Sequence, residues 1–313
     1  MKNEIITIGL APAWDKTIEI PEIYWNQHKV VSSQKIVPAG KALNISKALC
    51  WIGIENTSAG LWGSDDFDQM KEYISKLKKI KIKLTAVPGQ TRENITIVDL
   101  KNKRQMHLRT QNTLADSKSI KILKEDLQKI IKKNAFAVVA GAMPDDAIDL
   151  IELAKKKNAN VVVDTSGNVL RKIVSNGGLF LIKPNIEELS EIIGRKIKNE
   201  TKEIITVSKK LLKKTKFILV SRGEKGATLI FNSGTQSSDC SNIRTISAKY
   251  IGHKHPVYNT VACGDYLLAG FLSVVASQAK QFLYSEQICA SALRIAVVSA
   301  TAKAFCMNET LSW

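Results

Sequence analysis

The sequence predicts an α/β fold, with a mostly parallel central sheet covered by helices on both faces and a small β-sheet beside it. Three observations carry this expectation. From about residue 120 onward, short continuously apolar runs alternate with amphipathic helical stretches, as expected of strands buried on both faces. Two segments, at about 15–37 and 85–110, instead show period-two patterning, which marks strands with one solvated face. The chain has 313 residues and 44% hydrophobic content, enough for one large core that buries about 75% of the unfolded surface. The expectation is therefore a single domain over 1–313 with the smaller sheet attached.

The elements follow in order. Ile5 to Leu10 reads as a buried strand, and Pro12 interrupts its ladder, leaving Asp15 on a loop. Thr17 to Ile20 reads as a short strand with Val30 to Val37 as its partner. Pro38-Ala-Gly-Lys-Ala-Leu-Asn44 opens a helix whose apolar face is Leu43, Ile45, Ala48, Leu49 and Ile52, stopped by Gly53. Lys41 and Asn44 lie three apart on one side of its first turn, where such residues face either water or a ligand. Asn56 to Leu61 and Gly63 to Phe67 continue the rhythm of strand, loop and helix. Thr85 to Val87 and Asn94 to Asp99 flank the turn Pro88-Gly-Gln-Thr-Arg92, and Arg104 to Arg109 returns, completing the side sheet.

Then come a helix to Lys133, strand Phe136 to Gly141, helix Asp145 to Asn158, strand Asn160 to Asp164 and strand Leu179 to Lys183. Helices Ile186 to Ile193 and Lys202 to Lys214 and strands Phe217 to Ser221 and Ala227 to Phe231 follow. The small-residue run from Ser285 to Cys306 is expected to pack over the sheet as a helix.

Composition narrows the function classes. The net charge of +17 comes largely from lysines that alternate with Ile and Leu at helical spacing, the pattern of solvated helix faces. Aromatics are 6% and not interleaved with the basic residues, which argues against a nucleic-acid surface, whereas anionic small molecules suit the sign. No apolar run reaches the ~18 residues of a membrane span, and Met1 to Ile8 reads as a strand rather than a secretion signal, so a cytoplasmic setting is expected. The five cysteines are widely spaced without a Cys-x-x-Cys pair, so free thiols are expected. Cys263 is either a reactive thiol or a small buried residue.

Right-handed crossovers put the carboxyl ends of parallel strands on one rim, where ligands bind. Asp15, Gly141 to Pro144, Asp164 to Gly167, Lys183 to Glu188 and Ser221 to Gly226 all fall just past strand ends and are expected to line one cleft. Asn259-Thr-Val-Ala-Cys-Gly-Asp265 is a turn of small and polar residues running into an apolar helix. Its helix N-terminus offers backbone N–H groups and the positive dipole end to an anion. Asp265 at its mouth either caps the helix or takes a proton from an attacking hydroxyl. Gly40-Lys41 is not a Walker A loop, which needs Gly-x-x-x-x-Gly-Lys-Ser/Thr.

Six segments in one order resemble the ribokinase/phosphofructokinase B superfamily of sugar kinases, in its branch of 1-phosphofructokinases and tagatose-6-phosphate kinases. They are Ala11 to Asp15, Ala39 to Asn44, Gly89 to Asn94, Asp164 to Gly167, Lys183 to Glu188 and Asn259 to Asp265. The resemblance covers nearly the whole chain and implies ATP and Mg²⁺ as cofactors and a small-molecule sugar phosphate as partner. It implies that Asp265 is the catalytic base and that the amides of Ala262, Cys263 and Gly264 form the anion hole. Asp15, Gly40, Lys41, Asn44 and Arg92 match positions that hold the sugar and its phosphate. Lys183, Asn185, Ser221, Gly223 and Gly226 match the ATP side; Glu188 matches a magnesium-linked position, with Asp164 as a further metal-side carboxylate. The two off-core segments match a lid that often doubles as a dimer contact.

The chain also departs from that pattern. Ala262 replaces the first glycine of the usual Gly-Ala-Gly-Asp, which costs roughly 1–2 kcal/mol if its φ is positive. Ala39 and Ala42 replace glycines and are expected to narrow the sugar pocket, and Ala142 stands where many relatives have serine. Arg104 and Arg109 both lie near the position of a second phosphate-binding arginine, and neither aligns cleanly with it. These changes keep two further readings open: a kinase of an unphosphorylated sugar or nucleoside, and a catalytically silent sugar-phosphate-binding protein.

Overall fold

The computed structural model describes residues 3–233, 242–252, 260–278 and 284–306. Asn259 and Cys240 lie outside these residues. In chain order the elements begin with β1 (Ile5–Gly9), β2 (Ala13–Ile20), β3 (Ser33–Ala39), α1 (Lys41–Trp51), β4 (Asn56–Gly63), α2 (Phe67–Ser75) and β5 (Ile80–Val87). They continue with β6 (Glu93–Asp99), β7 (Arg104–Arg109), α3 (Ser117–Ile130), β8 (Phe136–Ala140), α4 (Ile148–Lys156), β9 (Asn160–Asp164), α5 (Gly167–Asn176) and β10 (Leu179–Ile182). The rest are α6 (Ile186–Ile193), α7 (Thr201–Leu211), β11 (Thr215–Ser221), β12 (Ala227–Asn232), β13 (Ile243–Ala248), α8 (Cys263–Val275) and α9 (Glu286–Ala304).

Among the described residues, nine strands form one sheet in the order β13-β12-β11-β10-β9-β8-β1-β4-β5. Every pairing from β11 to β5 is parallel, while β12 and β13 are added antiparallel. Strand side chains alternate between two helical layers, which is why these runs are apolar without a break. Ile6, Ile8, Val139, Val163 and Ile218 pack against α3 to α7. Ile5, Val138, Val162, Leu219 and Leu229 pack against α1, α8 and α9. Helix α8 is apolar nearly all round because it is buried between α1 and α9 over the sheet. The small residues of α9 permit the closeness: a Cβ on Gly270 would sit 2.8 Å from the Ala296 Cα.

The second sheet has the order β3-β2-β6-β7. Thr85 to Val87, expected in this sheet, lie outside it. They belong to β5, which pairs in parallel with β4 at the edge of the main sheet. Thr85 and Val87 are buried there, and the chain crosses to the lid only through the turn after Val87. Asp15 is likewise on a strand, not a loop: β1 ends at Gly9, and after the short break that holds Pro12 the chain re-enters extended structure at Ala13. Helix α5 and strand β13 were not expected. The helix expected from Asp145 opens as a 3-10 turn, Asp145–Ala147, before α4. Among the described residues, no helix is long and apolar enough to cross a membrane.

Candidate active site

Helix α8 begins immediately after Ala262, whose backbone is left-handed with φ 66°. This is the strained case anticipated for an alanine here, at a cost of roughly 1–2 kcal/mol. Asp265 lies in the first turn and does not cap the helix: its side chain makes no capping bond, and its carboxylate instead accepts from Asn44 Nδ2 at 3.2 Å. The Asp265 backbone N–H is spent on Ala262 O at 2.9 Å, whereas the Cys263 N–H reaches Thr260 O only at 3.4 Å. Asp265 is 5% exposed. Burial, reinforced by the charge of Asp164, pushes its carboxyl up to about 7, against the pull of Lys41, Lys183 and Asn44. Burial also pushes the Cys263 thiol up to about 11, which favours the inert reading of that cysteine.

Asp164, at the end of β9, is 1% exposed and holds two ammonium groups on one oxygen. Lys41 Nζ is 2.8 Å from its Oδ1 and Lys183 Nζ 3.3 Å, while Oδ2 is buried without a hydrogen-bond partner. Burial pulls the Lys41 ammonium down, but the charge and hydrogen bond of Asp164 more than offset it, and its pKa ends above the ordinary lysine range. Lys41 thus reaches from the first turn of α1 to the strand ends rather than staying with the sugar-side residues. Gly264 leaves room for Lys183, whose Nζ lies 3.2 Å from where a Cβ would stand.

Asn185 and Glu188 form a reciprocal capping box on α6, with bonds of 2.8 and 2.9 Å. The Glu188 carboxyl is raised by burial, in the field of Lys41, Lys183 and Asp164. Ser221 closes against the same loop through its N–H to Pro184 O at 3.0 Å. Gly223 and Gly226 both have positive φ in the following turn, and a Cβ at 226 would meet Ala248 O at 2.1 Å. Arg222, which the sequence reading passed over, braces this turn through Asn199, Thr201 and Thr228.

On the lid, Val37, Asp15, Asn94 and Arg109 lie in one row across the four strands, and Asp15 Oδ1 accepts from Asn94 at 2.8 Å. That register separates the two arginine candidates: Arg109 stands beside Asn94, whereas Arg104 is opposite Asp99 at the far end of β7. Arg92 donates to Pro12 O at 3.2 Å and Thr110 O at 2.9 Å. Burial and the neighbouring Arg109 lower its pKa.

Between lid and core runs a groove of about 520 Å³ lined by Asp15, Asn44, Ala262, Lys35, Lys47 and Lys303, among others. The three lysines were missed. Lys47 follows Asn44 by three positions on α1, a spacing that could have revealed it; Lys303 comes from α9, with no such cue. Lys47 donates to Pro38 O at 2.8 Å, and desolvation lowers its pKa to about 8. Gly40 starts α1 at φ 113°, with its Cα face against Ala11 and Pro12. Ala39 and Ala42 are buried, and the Ala42 methyl packs on Gly9, so both alanines fill the core beneath the groove.

The fold thus gathers a buried carboxylate at a helix start and two ammoniums at the strand ends of the main sheet, beside a groove under the second sheet. The model of the pfkB family carbohydrate kinases matches residues 3–310, and the chain belongs to that family. A tagatose-6-phosphate kinase of Staphylococcus epidermidis is 28% identical over 276 residues, 86% of this chain and 84% of that protein. A 1-phosphofructokinase of Bacillus subtilis is 27% identical over 307 residues, 96% of this chain and 92% of that one. In fold, phosphofructokinase-2 of Escherichia coli, solved in complex with fructose-6-phosphate, superposes with a TM-score of 0.82 at 20% identity, covering 99% of this chain and 98% of that one.

Proposed function

We propose that this carbohydrate kinase transfers the γ-phosphoryl group of ATP to a hydroxyl of a ketohexose monophosphate, giving the bisphosphate. The observation that carries the reading is Asp265: a buried carboxylate whose pKa lies at about 7, between a sugar-sized groove containing Asp15 and the two ammoniums on Asp164. The names of the tagatose-6-phosphate kinase and 1-phosphofructokinase relatives support the acceptor class.

Asp265 takes the proton of the attacking hydroxyl, and Asn44 holds the carboxylate toward the acceptor. Asp15 and Gly40 orient the sugar hydroxyls. Arg92, with Arg109 beside it, offers its remaining N–H donors to the acceptor's own phosphate. The amides at 262–264 receive the transferring group, and Lys183 and Lys41 neutralise the charge that builds on it. Asn185, Ser221, Gly223 and Gly226 shape the side that takes ATP. The residues fit a magnesium ion held mainly by phosphates and water: Glu188 and the unpartnered Oδ2 of Asp164 are the carboxylate oxygens available to it. Bound there, the ion would screen the phosphates.

The outer face of the lid, opposite Asp15, exposes Ile36, Met106 and Leu108, and a second copy packed through the lid would cover them. An ADP-release assay with fructose 1-phosphate, fructose 6-phosphate, tagatose 6-phosphate and the free ketohexoses tests the acceptor class. Turnover of a phosphorylated sugar with little on its free counterpart is expected; activity confined to free sugars would refute the phosphate requirement.

A further inference from the structure

The two lid strands that bear the acceptor-binding residues are tied to the core by one side chain outside the groove. Asp66 precedes α2. One of its oxygens accepts from Trp14 Nε1, and the other accepts from Thr91 Oγ1 at 3.0 Å and from the Thr91 N–H at 3.4 Å. Thr91 Oγ1 in turn accepts from the Gly63 N–H at 3.0 Å, so the contact reaches the end of β4. Trp14 immediately precedes Asp15 at the root of β2, and Thr91 immediately precedes Arg92 at the root of β6. The Trp14 N–H also donates to Arg92 O at 2.8 Å.

The surroundings make this a fixed point. Trp14 is 5% exposed and Thr91 1%. The indole of Trp14 packs edge-on to Trp62 at 5.5 Å, within an apolar cluster that includes Leu43, Met70 and Ile74. A β-strand is stiff along its length, so a shift at its root moves the next residue by a similar amount, and misplacement of about 1 Å can cost about a hundredfold in rate. The Asp66 carboxylate is too far back to face the groove, whose lining does not include it; it acts only through Trp14 and Thr91.

We propose that Asp66 is a positioning residue that sets the separation of Asp15 and Arg92, and thereby the fit of the acceptor's hydroxyl and phosphate ends. This rests on the acceptor site proposed above. Asp66→Asn keeps the shape and the acceptor for Thr91 but turns an N–H donor toward the Trp14 N–H. Trp14→Phe keeps the packed ring and removes the donor.

The test is steady-state kinetics of the full chain with the best sugar phosphate found above, alongside melting temperature and the KM for ATP. Either variant is expected to raise the KM for the sugar phosphate about tenfold while the KM for ATP stays within about twofold. The double variant should cost no more than the worse single one, because both break one contact. An unchanged sugar-phosphate KM in both folded variants overturns the inference and leaves the proposed function standing. Equal rises in both KM values, or a loss that only tracks a lowered melting temperature, overturn it too, since they report general loosening. A wild-type chain that turns over no sugar phosphate overturns the proposed function and this inference together.

Discussion

Asn44 Nδ2 donates to Asp265 Oδ2 at 3.2 Å across a sequence separation of 221 residues, joining the first turn of α1 to the first turn of α8. Both helices begin at a residue of positive φ, Gly40 without steric cost and Ala262 under strain, so the two turns aim at the same point. The contact orients the buried carboxylate that the proposed chemistry needs.

The pH dependence follows from Asp265. Its folded pKa of about 7 is raised from 3.8, so the folded chain holds this proton where the unfolded chain has lost it. The associated stability is fully present below about 3.8 and is lost as pH rises through about 7. Asp265→Asn should therefore gain stability relative to the wild type between pH 4 and 8, measured by denaturant unfolding. The wild-type kcat/KM should fall on the acid side of about 7, where the base is protonated. Turnover of the Asn variant should be lower by about a hundredfold or more.

Asp164→Asn removes the charge that two ammoniums share. Breaking a buried ion pair costs about 3–5 kcal/mol, a loss that chemical denaturation would register. Because Asp164 also raises Asp265, whatever activity remains should have its acid limb shifted to lower pH. An unmoved limb would mean that Asp164 does not influence the base.

Ala262→Gly relieves a left-handed alanine. Offsetting roughly 1–2 kcal/mol of strain against the greater freedom of an unfolded glycine leaves a net gain of about 0.5–1 kcal/mol. Thermal unfolding should show a small rise in melting temperature; a fall would show that the alanine methyl makes contacts that outweigh the strain.

Gly270→Ala places a methyl against backbone in the α8–α9 interface, 2.8 Å from both the Ala296 Cα and the Ile295 O. Overpacking of this kind costs about 1–3 kcal/mol. The loss should appear in stability, with the KM values of the surviving folded enzyme close to those of the wild type.

The central sheet was legible because burial on both faces leaves a local mark: Phe136 to Ala140 and Asn160 to Asp164 could hardly be soluble as anything else. The side sheet was legible in its alternation but not at its border. Thr85 to Val87 alternate as lid strands do, yet they pair with β4, and nothing local distinguishes one partner strand from another. Helix α5 was missed although its buried Val169, Leu170, Ile173 and Val174 recur at helical spacing. Among site residues, those in compact motifs, such as Asp265, Lys183 and Asp15, were visible, whereas Lys303 and Asp66 matter only through what folds beside them.

By itself, then, the amino-acid order determined most of the strands and helices, though not α5 or β13, and which polar groups stand at strand ends, since both depend on neighbours a few positions away. Only the tertiary structure decided that Lys41 turns to Asp164, that Arg109 rather than Arg104 joins Arg92, and that burial lifts Asp265 toward neutrality. Those outcomes depend on distance and dielectric between residues far apart in the chain, quantities that exist only once the layers have packed.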